Sequence, residues 1–154
     1  MCVMALAASL ALADLYGSGT ASLAVTPSPL AAEPLYADIV TRAKGLEAAV
    51  DGFRATPGLK ASAAPVTLAD FATFKVRISE LSALDMKGHL DLAARQSDGD
   101  LKCILKGISQ DLPKKLGAVE LAKTGAEEDA ALDELRYLLD DNVGVISAPP
   151  KPPV

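Results

Sequence analysis

The chain has 154 residues, half of them hydrophobic but only 4% aromatic, no Trp, and a net charge of −5. That length supports one domain with its own core, and an aliphatic core of Leu, Ala, Val and Ile suits helices. An acidic chain this poor in aromatics lacks the basic, aromatic-bearing face that nucleic-acid binding needs, while one histidine and two distant cysteines exclude the usual zinc sets and a disulfide framework.

Residues 1–13, MCVMALAASLALA, carry no charge, and Asp14 is the one charged side chain before Glu33. The segment is shorter than the roughly 20 residues a membrane span takes, and it closes on Ala11-Leu12-Ala13, an A-x-A cleavage pattern. It reads as an export or transfer signal; the competing reading is a buried or partner-covered N-terminal helix. The basic stretch that normally precedes such a region is missing, which places the expected natural start upstream of Met1. Residues 14–33, rich in Gly, Ser, Thr and Pro, read as an extended tether.

Four amphipathic segments follow over residues 34–146. Pro34 fits the first turn of a helix, where its missing N–H costs nothing, and Tyr36, Ile39, Val40, Ala43, Leu46, Val50 and Phe53 recur at spacings of three or four until Thr56-Pro57-Gly58. Thr67 to Asp70 resembles a capping box ahead of a second helix striped by Phe71, Phe74, Ile78 and Leu81. That helix ends at Gly88 or continues through Leu90 and Leu92 towards Arg95.

Ser97 to Asp100 supplies a turn and a choice of caps before the third segment. There Leu101, Ile104, Leu105, Ile108, Leu112 and Leu116 are expected to face inward. Pro113 removes the bond to the carbonyl of Ser109, which predicts a kink or restart near Ser109 to Leu112. Lys114 and Lys115 just beyond it form the chain's only adjacent basic pair and are the candidate docking contact.

The fourth segment opens on a second capping box, Thr124 to Glu127, and continues through Leu132, Leu135, Leu138, Leu139 and Val143 to an expected stop at Gly144. Residues 147–154 are a Pro-rich tail. No six-residue stretch alternates apolar and polar residues with β-branched enrichment. The expected fold is therefore an all-α, up-down-up-down four-helix bundle with an extended N-terminal tether and a Pro-rich C-terminal tail.

Reactive groups are sparse. The Glu-x-x-His pairs of di-metal bundles are missing, so His89 reads as an exposed or helix-end residue. Glu127 to Asp129 and the Asp140–Asp141 pair lack the alternating loop spacing of a calcium site and read as solvated helix surface. Cys103 reads as a small buried thiol, with a redox role kept open by Lys102 and Lys106. Neither a G-x-S-x-G elbow nor a phosphate-cradling Gly loop occurs. The expectation is a protein with no enzyme activity, cofactor, metal or evident small-molecule substrate.

The apolar segment ending in A-x-A, the Pro-containing tether and the four short helices together resemble the PsbQ-like lumenal extrinsic subunits of photosystem II. The nearest local likenesses are LKGISQDLPKKL, Leu105 to Leu116, and ALDELRYLLDD, Ala131 to Asp141. The resemblance implies a non-enzymatic subunit, exported to the thylakoid lumen, that docks on and stabilises a photosystem or related membrane protein complex. The competing expectation is a periplasmic or secreted bundle that binds a small apolar ligand or acts as a chaperone.

Overall fold

A computed structural model describes residues 28–96 and 99–148. The apolar segment 1–13, the tether as far as residue 27 and the tail from residue 149 lie outside the described residues. Four helices make up the fold: α1 (Pro34–Arg54), α2 (Phe71–Ala94), α3 (Gly99–Leu121) and α4 (Gly125–Ser147), with no strand among the described residues.

Each helix packs on its two sequence neighbours around the ring, α1 closing on α4. Cross-helix bonds fix the directions. Tyr36, early in α1, reaches Asp91 late in α2, whereas Phe53 at the other end meets Phe71 and Phe74. Ser82 bonds Ser109 and Lys75 bonds Glu120, which reverses α3 against α2. Arg54 pairs with Asp129 and Arg136 with Asp51, so α4 runs antiparallel to α1. The protein is an up-down-up-down four-helix bundle.

The core is aliphatic. Ile39, Leu46, Ile78, Leu81, Leu105, Leu112, Leu132, Leu135 and Leu139 are fully buried, and the predicted stripes face inward on all four helices. Burying each such side chain contributes about 1.5–3 kcal/mol.

Several local expectations are corrected. The capping box at Thr67 to Asp70 does not form: the helix starts at Phe71, so Asp70, expected inside the first turn, is the residue before the helix, at φ 55° and with no capping bond. Of the two ends left open for the second helix, the longer is the one found: the helix passes Gly88, which is buried, and ends at Ala94. Gly144 does not stop α4, which runs to Ser147. Pro29–Ala32, near the end of the expected tether, form a 3-10 turn, and Ser28 N–H donates to the Ser147 carbonyl.

Pro113 does not interrupt α3, which is unbroken from Gly99 to Leu121. The carbonyl that Pro113 leaves without a helical partner, that of Ser109, accepts instead from Ser82 Oγ of α2 at 2.7 Å. A neighbouring hydroxyl replaces the missing amide, and the expected restart is unnecessary.

The long connection between α1 and α2 is fastened to the start of α4. Gly125 N–H donates to the Ser62 carbonyl at 3.0 Å, and Glu128 accepts from Val66 N–H at 2.8 Å. A Cβ on Gly125 would sit 1.8 Å from the Leu59 carbonyl oxygen, so only glycine permits this approach. Half of the second capping box forms: Thr124 Oγ1 accepts from Glu127 N–H, while the Glu127 carboxylate accepts from the N–H of Lys123, one residue before the cap.

Candidate functional site

The bundle interior holds a polar tie across its diagonal. Asp85 of α2 and Asn142 of α4 are both fully buried, and Asn142 Nδ2 donates to the two Asp85 carboxyl oxygens at 3.2 and 3.0 Å. Burial pushes the Asp85 carboxyl up to about 7, opposed only in part by the Asn142 bond. Asn142 Oδ1 is buried without a partner. The pair can hold and release one proton near neutral pH.

At the end of the bundle where α1 begins, Tyr36 is fully buried and donates to Asp91 Oδ2 at 2.8 Å. Burial, and then that bond, raise its phenol above the ordinary tyrosine range. Arg95 closes the cluster on Glu33 and Asp91 at 2.7 and 2.8 Å, and the Glu33 bond in particular holds the guanidinium charged. The cluster ties α1 to α2.

At the opposite end a cleft of about 380 Å³ opens between α1 and the start of α2, lined by Phe53, Phe74, Thr73, Ala69, Asp70 and Arg77 among others. Phe53 meets Phe71 and Phe74 edge-on at 5.9 and 5.1 Å between ring centres. The floor is aromatic and the rim is charged.

The residues singled out in the sequence are not brought together. Lys114 pairs with Asp111 at 2.7 Å and Lys115 with Glu134 of α4 at 2.8 Å, both on the outer surface of α3. His89 lies within α2, half-buried, its Nδ1 2.7 Å from the Lys102 carbonyl. Cys103 is exposed, which corrects the expectation of a buried thiol: the inward row passes through Leu101 and Leu105 and leaves residue 103 outside. Asp140 and Asp141 are exposed as expected. Glu128 is buried on Val66 N–H, and Asp129 lies between Arg54 and Lys60, so that run is only partly solvated.

Asp85 and Asn142 were overlooked, although the signal was present. Continuing the α2 row by four from Leu81 lands on Asp85, and Asn142 falls between Leu139 and Ile146 in the α4 row. A polar residue in an apolar row marks a buried polar group. Among the described residues no three or more His, Cys, Asp or Glu side chains converge as a metal site would require, and no helix is long and apolar enough to cross a membrane.

Fold and site together define an antiparallel four-helix bundle with an aliphatic core crossed by one carboxyl–amide tie. Comparison of the chain with protein-family models, curated proteins and solved structures gives no match.

Proposed function

We propose that the chain is a non-enzymatic, exported subunit that docks on and stabilises a larger membrane protein complex, with the lumenal side of a photosystem as the favoured setting. The observation that carries the reading is the outer surface of α3 and α4. Tyr137 is 71% exposed there, one turn from Glu134, the residue that holds Lys115, and Lys114 stands beside Lys115. An exposed aromatic beside surface cations is the composition of an interface anchor. The Lys114–Asp111 and Lys115–Glu134 pairs are surface pairs worth at most about 1 kcal/mol, so an acidic partner surface can take over the lysines.

The test is co-purification of the full chain with pigmented membranes followed by a high-salt wash. The expected result is release by salt, and loss of association in K114E/K115E/Y137A with helix content and melting unchanged. A protein that never associates with membranes overturns the reading.

The cleft beside Phe74 supports a second reading, a carrier of small apolar ligands, since its volume is in the range of ligand pockets. A rise in melting temperature with apolar ligand, lost in F74A relative to its own unliganded baseline, would favour it.

A further inference from the structure

The outward face of α2 carries an apolar strip. Opposite its buried row, the exposed residues Ala72, Val76, Ser79, Ala83, Leu90 and Ala94 carry no charge. Val76 and Leu90 are 58% and 59% exposed, two of four large hydrophobics so displayed among the described residues. They stand one heptad either side of Ala83, the spacing at which one helix meets another along a seam.

The flanking charges indicate which partner fits. Glu80 and Lys87 are both exposed, and each follows a seam residue, Val76 or Ala83, by four positions, so the two lie along one edge of the strip. At 1.5 Å per residue, Glu80 lies about 4.5 Å before Ala83 and Lys87 about 6 Å after it. A two-fold axis through Ala83 and perpendicular to the helix reverses its direction while keeping this edge against itself. It brings Glu80 of one copy to within about 1.5 Å, measured along the helix, of Lys87 of the other. Symmetry makes the pair twice, and the same operation sets Val76 opposite Leu90. Parallel pairing, by a two-fold along the helices, would instead set this edge against the other edge of the partner helix, and Glu80 and Lys87 would not meet across the seam. Glu80 accepts from Arg42, and Lys87 makes no ion pair among the described residues.

We propose that α2 pairs antiparallel with α2 of a second copy of this chain, through Val76, Ala83 and Leu90, with Glu80–Lys87 ion pairs fixing direction and register. Small Ala83 at the crossing lets the two backbones approach closely. This surface lies across the bundle from Tyr137, so self-association and docking can fail independently.

Sedimentation equilibrium of the full chain tests it. The expected mass rises with concentration from 15.8 kDa towards twice that value. V76E/L90E should remain monomeric, and K87E should weaken the dimer by about tenfold or more, since it opposes Glu80 to a like charge. Adding E80K to K87E should restore the association, a recovery that a generally perturbed surface would not produce. Circular dichroism confirms that each variant is folded. A monomer at every concentration, a dimer indifferent to V76E/L90E and K87E, or a charge swap that fails to restore it overturns the proposal and leaves the strip to another occupant, such as an N-terminal segment of the chain or a different protein.

Discussion

Helices α1 and α2 lie side by side with similar lengths but differ in how they use their faces. α1 buries Tyr36, Ile39, Ala43, Leu46, Val50 and Phe53 and turns Arg42, Lys44, Glu47 and Asp51 towards its surface and edges. α2 buries a carboxyl, Asp85, and a glycine, Gly88, and exposes Val76 and Leu90. The first helix keeps its apolar residues inward and its charges outward. The second holds a buried carboxyl and displays exposed apolar side chains, two departures from the usual pattern of a surface helix.

The difference is sharpest against pH. The folded Asp85 carboxyl titrates at about 7, above its unfolded range near 4, so between those values the folded state binds a proton that the unfolded chain has lost. Stability from this group is fully present below the unfolded value and is lost as pH rises through about 7, amounting to about 4 kcal/mol in all. D85N should remove this component, leaving a protein more stable than the parent above neutrality; urea melts of both across pH 4 to 9, roughly those limits, measure it. A difference between the two that does not change with pH would break the contrast with α1.

Truncation in α1 should behave in the opposite way. I39A removes fully buried aliphatic surface and should cost about 3 kcal/mol, equally at every pH. A smaller effect is expected where α2 supports α3. S82A deprives the Ser109 carbonyl of its donor and should cost about 1 kcal/mol, and P113A should cancel most of that loss by restoring the helical amide, a coupling that a double-mutant cycle reads directly. Smallest of all, V76E should change the stability of the isolated monomer by no more than about 0.5 kcal/mol, because its side chain is already in water.

Helix number, order and inward rows followed from the spacing of Leu, Ile and Phe, since that periodicity is set by packing alone. The extent of α2 was legible only in part, because Gly88 looks like a stop signal until it is seen to be buried, with room for a Cβ limited by Leu105. The continuity of α3 depends on a hydroxyl 27 positions upstream of the carbonyl it serves, a relation no local pattern contains. Cys103 has apolar neighbours in sequence, but helical rotation sets it outside their buried row. Asp85 and Asn142 could be read as polar intrusions, but their meeting across the diagonal required the folded chain. The candidate docking lysines were visible as a pair; that each already has an acidic companion was not.

The connection between α1 and α2 is held by Gly125 and Glu128, residues synthesised long after the loop itself. On the ribosome the first hairpin therefore emerges without the groups that shape its turn. α1 and α2 can associate early through Phe53 and Phe74, but Leu59 and Val66 reach their final places only when the start of α4 arrives. The bundle closes from its last helix back onto its first turn.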